Sequence, residues 1–110
     1  MKILQIIQKK QLRGAEVFAS QLSGHLALQN NQVKIVSLLD GKDQLPFEGD
    51  IISLDANLSK KWFDISAWKR LARLIKEFNP DVIQANAGDT LKYAVFSKLF
   101  FRWKQPIVFR

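Results

Sequence analysis

Residues 2–22, KILQIIQKKQLRGAEVFASQL, predict the fold because they contain a buried strand, a basic loop with one glycine, and the start of an amphipathic helix. The apolar run of the strand is interrupted only by Gln5, which is typical of a strand covered on both faces and so of a parallel sheet. After Arg13-Gly14, apolar residues recur at helical spacing. That spacing predicts one buried helical face, made of Ala15, Phe18, Ala19, Leu22 and Leu26.

The loop between this strand and this helix is a candidate anion site. The first N–H groups of a helix lack internal partners and carry partial positive charge from the helix dipole. Gly14 would let a phosphate approach the backbone, and Lys9, Lys10 and Arg13 add positive charge around it. One glycine is a weaker signal than a full G-x-G-x-x-G fingerprint. A second interpretation therefore stays open, in which Gly14 only permits the turn and the lysines are a solvated loop.

Composition limits the chemistry open to this chain. Its 110 residues suit a single domain, residues 1–110, and 47% hydrophobic with 25% charged residues is ordinary for a soluble globular protein. The absence of cysteine and the single histidine, His25, argue against thiolate catalysis, cysteine or histidine metal sites and a Ser-His-Asp triad. We expect neither a metal nor a cofactor in this chain. The net charge of +7 indicates anionic partners.

The chain shows no targeting segment. Its first residues lack the pattern of a signal peptide, and no stretch approaches the roughly 20 apolar residues of a membrane span. These features predict a cytoplasmic protein.

The remaining sequence alternates strands with helices. Strands are predicted at residues 33–39, 50–54, 81–85 and 107–109, and the 50–54 strand is short enough for a sheet edge. Helices are predicted at residues 15–29, 65–78 and 91–103. Asp64 or Ser66 is expected to cap the second helix, and Asn79-Pro80 to end it. This order predicts an α/β fold, with an open, mostly parallel sheet of about five strands and right-handed crossovers.

A second candidate turn, Asn86-Ala87-Gly88-Asp89-Thr90, follows the fourth strand. Asp89 or Thr90 is expected to cap the third helix, whose wide apolar set is Leu91, Ala94, Val95, Phe96, Leu99, Phe100, Phe101 and Trp103. In open parallel sheets, ligands bind beyond the carboxyl ends of the strands, near the point where strand order reverses. If the first and fourth strands are neighbours, Asn86, Gly88 and Asp89 face the loop at residues 9–14 across one cleft.

Nothing follows the fifth strand except Arg110, so one face of the sheet would lack a covering helix. Exposed apolar faces of this kind usually mark an interface. We expect the chain to be an N-terminal piece of a longer protein. The alternative is a complete small domain that forms a homodimer through that face.

Cations next to aromatic residues suggest a second kind of surface. Lys60, Lys61, Trp62 and Phe63 precede the second helix, whose outer face is basic, and residues 100–104 repeat the combination at the end of the third helix. Such segments can bind an anionic membrane surface. The alternative is an ordinary solvated basic face. No recognition-helix motif and no aromatic RNA-reading motif is present, so nucleic acid is not expected as a partner.

Two segments, RGAEVFASQLSGHLALQNNQVKIVSL and PDVIQANAGDTLKYAVFSK, resemble the N-terminal domain of the retaining glycosyltransferases of family four. Members of that family typically have a glycine-rich loop ending in Gly-Ala-Glu, matched here by Arg13-Gly14-Ala15-Glu16. They have two facing Rossmann-like domains. The resemblance implies a Rossmann-like fold for this chain and a missing C-terminal domain that would bind most of the nucleotide-sugar donor.

The resemblance also implies roles for particular residues. Gly14 would lie near the donor diphosphate, with the flanking loop on the side of a glycan or lipid-linked acceptor. Arg13 is expected to help stabilise the charge of the leaving diphosphate. Family members commonly carry His-x-His after the fourth strand, where this chain has Gln84-Ala85-Asn86. Asn86 is therefore the one candidate catalytic residue, although an amide cannot act as a cation. The fragment alone would be inactive. A non-enzymatic phosphate-binding or membrane-surface module is the alternative.

Overall fold

The computed structural model of the protein describes residues 1–49, 51–60 and 63–110, apart from the side chain of Leu58. In chain order the elements are β1 (Lys2–Lys9), α1 (Gly14–Leu28), β2 (Gln32–Leu39), β3 (Ile51–Ser53), a 3-10 turn (Leu58–Lys60), α2 (Ile65–Phe78), β4 (Val82–Ala85), α3 (Gly88–Phe101) and β5 (Ile107–Phe109). The order matches the predicted alternation of strands and helices. The short β3 lies at one edge of the sheet, as predicted.

The five strands form one parallel sheet in the order β3-β2-β1-β4-β5. The order reverses direction between β1 and β4, which are direct neighbours with Ile6 opposite Ala85. This is a Rossmann-like α/β arrangement, and it confirms the predicted fold class. It also satisfies the condition under which the turns after β1 and β4 share one cleft.

The helices cover both faces of the sheet. Residues of α2 and α3 pack together on one face, over a core of β1 and β2 side chains that includes Leu4, Ile6 and Val36. The other face carries a smaller cluster in which Ala19 of α1 packs against Ile7, Ile35 and Leu45. The apolar runs of β1 and β2 are therefore buried on both faces, which is why they lack strict alternation.

The predicted buried face of α1 is wrong. The residues of α1 that are buried are Glu16, Ala19, Ser20 and Ser23. Phe18 is 51% exposed, and Ala15 is exposed as well. The hydroxyls of Ser20 and Ser23 donate to the carbonyl oxygens one turn earlier, at 2.8 and 2.7 Å. Because these hydroxyls are satisfied within the helix, small polar residues can face the sheet where the sequence pattern calls for apolar ones.

The predictions for α3 also need correction. The helix begins at Gly88 and ends at Phe101, and its buried residues are Thr90, Tyr93, Ala94 and Ser97. Leu99 and Phe100, which were expected in the core, are 70% and 57% exposed. Neither Asp89 nor Thr90 is the N-cap; that position belongs to Ala87. Thr90 instead closes the turn from inside the helix, because its Oγ1 accepts from the N–H of Ala87 at 2.9 Å and donates to the Ala87 carbonyl.

The boundaries of α2 follow the prediction. Asp64 is the N-cap, and its carboxylate accepts from the N–H of Ala67 at 3.1 Å and from the N–H of Asn57 at 2.7 Å. Asn79 ends the helix in left-handed geometry, with φ 51°. The helix buries Trp68, Leu71 and three further apolar side chains, while Ile65 is 51% exposed.

The edge of the sheet at β5 is open among the described residues. Val108 and Phe109 are 49% and 55% exposed. In the part of the chain that the structure describes, no helix is both long and apolar enough to cross a membrane.

Candidate substrate-binding cleft

The turns after β1 and β4 lie side by side. The backbone N–H of Asn86 donates to the carbonyl oxygen of Ile6 at 3.1 Å. The Gln8 amide, at the end of β1, donates to Asp89 Oδ2 at 3.4 Å, which is a long contact but connects the two turns directly. The parallel pairing of β1 with β4 therefore places the turns after these two strands at the same edge of the sheet. A shared site of Gly14 with Asn86, Gly88 and Asp89 stays a prediction.

Gly14 is the first residue of α1. Its backbone does not have a positive φ, and a Cβ atom built on it meets nothing within 4 Å. Neither the turn nor the packing of the described residues therefore requires glycine at this position. Arg13, the N-cap, adopts extended geometry and makes no side-chain capping bond. The Arg13 side chain therefore leaves the N–H groups of the first turn uncapped.

Gly88, the first residue of α3, is likewise a glycine that neither the turn nor the packing of the described residues requires. It too lacks a positive φ, and a Cβ atom there meets nothing within 4 Å. Both helices that border the cleft thus begin at a glycine that the fold does not need. Helix N-termini favour anions because their N–H groups are unpaired and the dipole is positive there.

The basic loop at residues 9–14 is held in place by the loop at residues 40–49. The N–H of Leu12 donates to Asp43 Oδ2 at 2.8 Å. A Cβ atom on Gly41 would fall directly on the carbonyl oxygen of Lys10, so glycine is required there for the close approach of the two backbones. Lys9 and Arg13 stay exposed.

Asn86, the candidate catalytic residue, is only 5% exposed. Its Nδ2 donates to Gln5 Oε1 at 2.9 Å and to the carbonyl oxygen of Ile6 at 3.1 Å. Gln5 is fully buried and in turn donates to Gln84 Oε1 at 3.1 Å. The Asn86 amide therefore ends a chain of polar side chains that lies on the face of the sheet shared with α1. Its direct contact with substrate stays a prediction.

Arg110 was not predicted as a site residue, yet its guanidinium lies at this end of the sheet. It donates to Asn86 Oδ1 through both Nε, at 3.1 Å, and Nη2. Its Cζ atom lies 4.1 Å from the centre of the Phe18 ring, a cation–π contact. Partial burial lowers the pKa of Arg110. The sequence feature that could have indicated this role is the position of Arg110 directly after the fifth strand.

Glu16 is a second residue that the sequence reasoning did not single out. It lies in the first turn of α1, is 5% exposed, and accepts from Gln11 Nε2 at 3.1 Å. A carboxylate in a first turn is stabilised by the helix dipole. The sequence feature that could have drawn attention to Glu16 is its place in the segment Arg13-Gly14-Ala15-Glu16.

Tyr93 lies on the sheet-facing side of α3 and is 4% exposed. Burial raises the pKa of its phenol, and the negative charges of Asp64 and Asp89 raise it further. Tyr93 is therefore a neutral hydroxyl at physiological pH.

With this geometry established, comparison with known families decides the relationship. The sequence model described as Glycosyltransferase Family 4 matches residues 12–110. The chain belongs to glycosyltransferase family 4. Comparison with curated proteins found no match. The family confirms the resemblance drawn from the sequence and indicates a role in sugar transfer, with a sugar donor and an acceptor as partners in general.

In this family 4 domain, the membrane-surface residues of the prediction are described only in part. Lys61 and Trp62 lie outside the described residues. Lys60 ends the 3-10 turn, and Phe63 is 63% exposed beside the rings of Trp68 and Phe96.

Proposed function

We propose that this domain forms the acceptor side of a glycosyltransferase that moves a sugar from a nucleotide-diphosphate donor to a glycan or lipid-linked acceptor. One observation carries the proposal: the helices that begin at the carboxyl ends of β1 and β4 both start with a glycine that neither backbone geometry nor packing requires. At a helix N-terminus, a glycine lets a ligand approach the unpaired backbone N–H groups closely.

The chemistry of such a cleft is electrostatic. Sugar transfer from a nucleotide-diphosphate donor builds negative charge on the leaving diphosphate. Unpaired N–H groups at the start of α1, with Arg13 as N-cap, would stabilise that charge without a proton transfer. Asn86, Gly88 and Asp89 would shape the opposite wall.

Sugar turnover by the full-length protein tests this role of Gly14. Gly14→Val is expected to lower kcat/KM by about tenfold or more, because the new side chain keeps the diphosphate from the N–H groups. Folding should be intact, since a Cβ atom at Gly14 meets nothing within 4 Å. Gly24→Val is the matched control: Gly24 lies inside the same helix and is equally free of neighbours. Equal turnover of the two variants would remove Gly14 from the site.

The isolated 110 residues are proposed to be inactive, because the resemblance assigns most donor contacts to a second domain. We also propose a cytoplasmic location and no dedicated metal. A homodimer through the face of the sheet that lacks a covering helix, beside the exposed Val108 and Phe109 of β5, is the alternative to covering of that face by a longer chain. Light scattering of residues 1–110 tests the homodimer, since a molecular mass equal to that of a monomer would exclude it.

A second proposal concerns peripheral contact with an anionic membrane. A cluster of aromatic rings at α2 and α3 connects the exposed Phe63 and Phe100 with the partly buried Phe96 and Phe101 and the buried Trp68, through ring contacts of 5.0–6.2 Å. The groove between the same helices is lined by five cations and one carboxylate: Lys69, Arg73, Lys76, Arg102, Lys104 and Glu77. Exposed aromatic rings next to cations suit the headgroup region of a bilayer.

Sedimentation with liposomes tests this surface. Leu99→Ser should reduce binding to vesicles containing phosphatidylserine, because Leu99 is 70% exposed on α3. Leu28→Ser, which changes a leucine on α1 that is 84% exposed, should not reduce it. Failure of the wild-type protein to bind at low salt would rule out the membrane contact.

A further inference from the structure

The guanidinium of Arg110 is held in an unusual way for a surface cation. Asn86 accepts two of its N–H groups through a single oxygen, and the Phe18 ring covers one side of its plane. Asn86 is itself fixed by the buried Gln5 and the Ile6 carbonyl. The orientation of the guanidinium is therefore set by contacts at the charged group itself, with Asn86 and with the Phe18 ring.

Arg110 has no acidic partner among the described residues. A guanidinium has five N–H donors, and two of them go to Asn86. The other three make no hydrogen bond within the described part of the chain. Partial burial alone accounts for the lowered pKa of Arg110, without any contribution from a carboxylate. The group nevertheless stays charged at neutral pH.

An oriented, partly desolvated guanidinium without a counter-ion is suited to bidentate recognition of an oxyanion. Arg110 directly follows β5, and its N–H donates to the Ala85 carbonyl at 3.0 Å, which places it level with the turn at residues 86–90. The cleft therefore contains a fixed positive group at the position where the family resemblance leads one to expect histidine chemistry from Asn86.

We propose that Arg110 binds a phosphate or carboxylate group of a substrate in this cleft, and that Asn86 is the residue that positions it. The inference rests on the proposed sugar-transfer function and extends it. Asn86 then acts through Arg110. This explains how a buried amide can stand at the position where the family resemblance implies a histidine. The oxyanion belongs either to the donor diphosphate or to an acidic acceptor sugar.

Isothermal titration of the full-length protein tests the proposal without requiring turnover. The probes are UDP and GDP for the donor source, and glucose 6-phosphate and glucuronic acid for an acidic acceptor. Arg110→Gln is expected to weaken binding of at least one class by about tenfold or more, as for lost hydrogen bonds to a charged group. Lys34→Gln, which removes one positive charge from an exposed residue near the start of β2, should change binding less than about twofold.

The pattern of loss identifies the source, because an effect on the nucleotides alone assigns Arg110 to the donor and an effect on the sugars alone assigns it to the acceptor. A second readout is the NMR signal of the Arg110 Nε–H, which should shift during titration of the wild-type protein with the same probe. Wild-type affinity of Arg110→Gln for all four probes, or equal losses in Lys34→Gln, would overturn the proposal. Absence of sugar transfer together with Arg110-dependent binding would overturn only the proposed function.

Discussion

Asp64 shows how a single residue can stabilise the framework that holds the cleft. It is 2% exposed and connects the start of α2 to the preceding segment through the N–H groups of Ala67 and Asn57. Burial by itself raises the pKa of Asp64, but these two hydrogen bonds and the charges of Lys60 and Arg70 outweigh it, so the net pKa is lowered. The ionised carboxylate is therefore the form that the fold favours.

Asp64→Ala is expected to reduce the free energy of unfolding by about 1–2 kcal/mol at neutral pH, because the helix loses its cap and Asn57 its acceptor. A folded-state pKa below the unfolded value of about 3.9 means that this stabilisation is complete above about pH 4 and is lost as pH falls through the folded pKa. Urea unfolding at pH 7 and pH 3 measures it, with Glu77→Ala on the exposed side of α2 as control. If the free energies of unfolding of the wild-type protein and Asp64→Ala differed by the same amount at pH 7 and pH 3, the lowered pKa of Asp64 would be contradicted.

Sequence reasoning at the residue scale succeeded where a turn requires particular chemistry. Asp64 and Asn79 were identified from capping rules, and the structure confirms both. Gly14, Asn86, Gly88 and Asp89 were chosen from their positions after predicted strands, and their role in a site stays a prediction. Arg110 could not be found in this way, because its role depends on contacts with Asn86 and Phe18, which are distant in sequence. Phe18 itself was assigned to the core.

Helices α1 and α3 show the limit of periodicity at the element scale. Their apolar residues outnumber the positions that face the sheet, so spacing alone cannot choose between faces. The deciding residues are small and hydroxylated: Ser20, Ser23, Thr90 and Ser97 are all fully buried. Their hydroxyls bond to nearby backbone or, for Ser97, to the Trp68 carbonyl at 2.9 Å. In α2, by contrast, the apolar stripe is narrow, and the buried residues Trp68, Leu71, Ile75 and Phe78 recur at helical spacing.

Ser20→Leu tests the corrected face of α1. Ser20 is fully buried against the sheet, so a larger side chain should overpack the contact and lower the free energy of unfolding by about 1–3 kcal/mol. Gln21→Leu places the same side chain on the exposed face of the helix and should change stability by less than about 0.5 kcal/mol. Thermal unfolding of the two variants makes the comparison. A larger loss in Gln21→Leu than in Ser20→Leu would contradict the buried face that the structure shows.

At the scale of the whole molecule, the strand order determines where function can lie. Placing β1 beside β4 is what brings a loop near residue 10 next to a turn near residue 88. The alternation of strands and helices predicted the parallel sheet, and the general rule for such sheets predicted the cleft. The pairing of the first strand with the fourth was not predicted but only assumed as a condition for the cleft. Local sequence patterns do not show which strands are neighbours when they are far apart in the chain.

Hydrogen exchange of the full-length protein, with and without a nucleotide-sugar donor, tests most directly whether this cleft binds substrate. The account predicts slower exchange in both turns together, at residues 9–14 and 86–90, because the ligand would cover N–H groups at the start of α1 and α3. Protection that spares both turns, under conditions where the donor is shown to bind, would contradict the account.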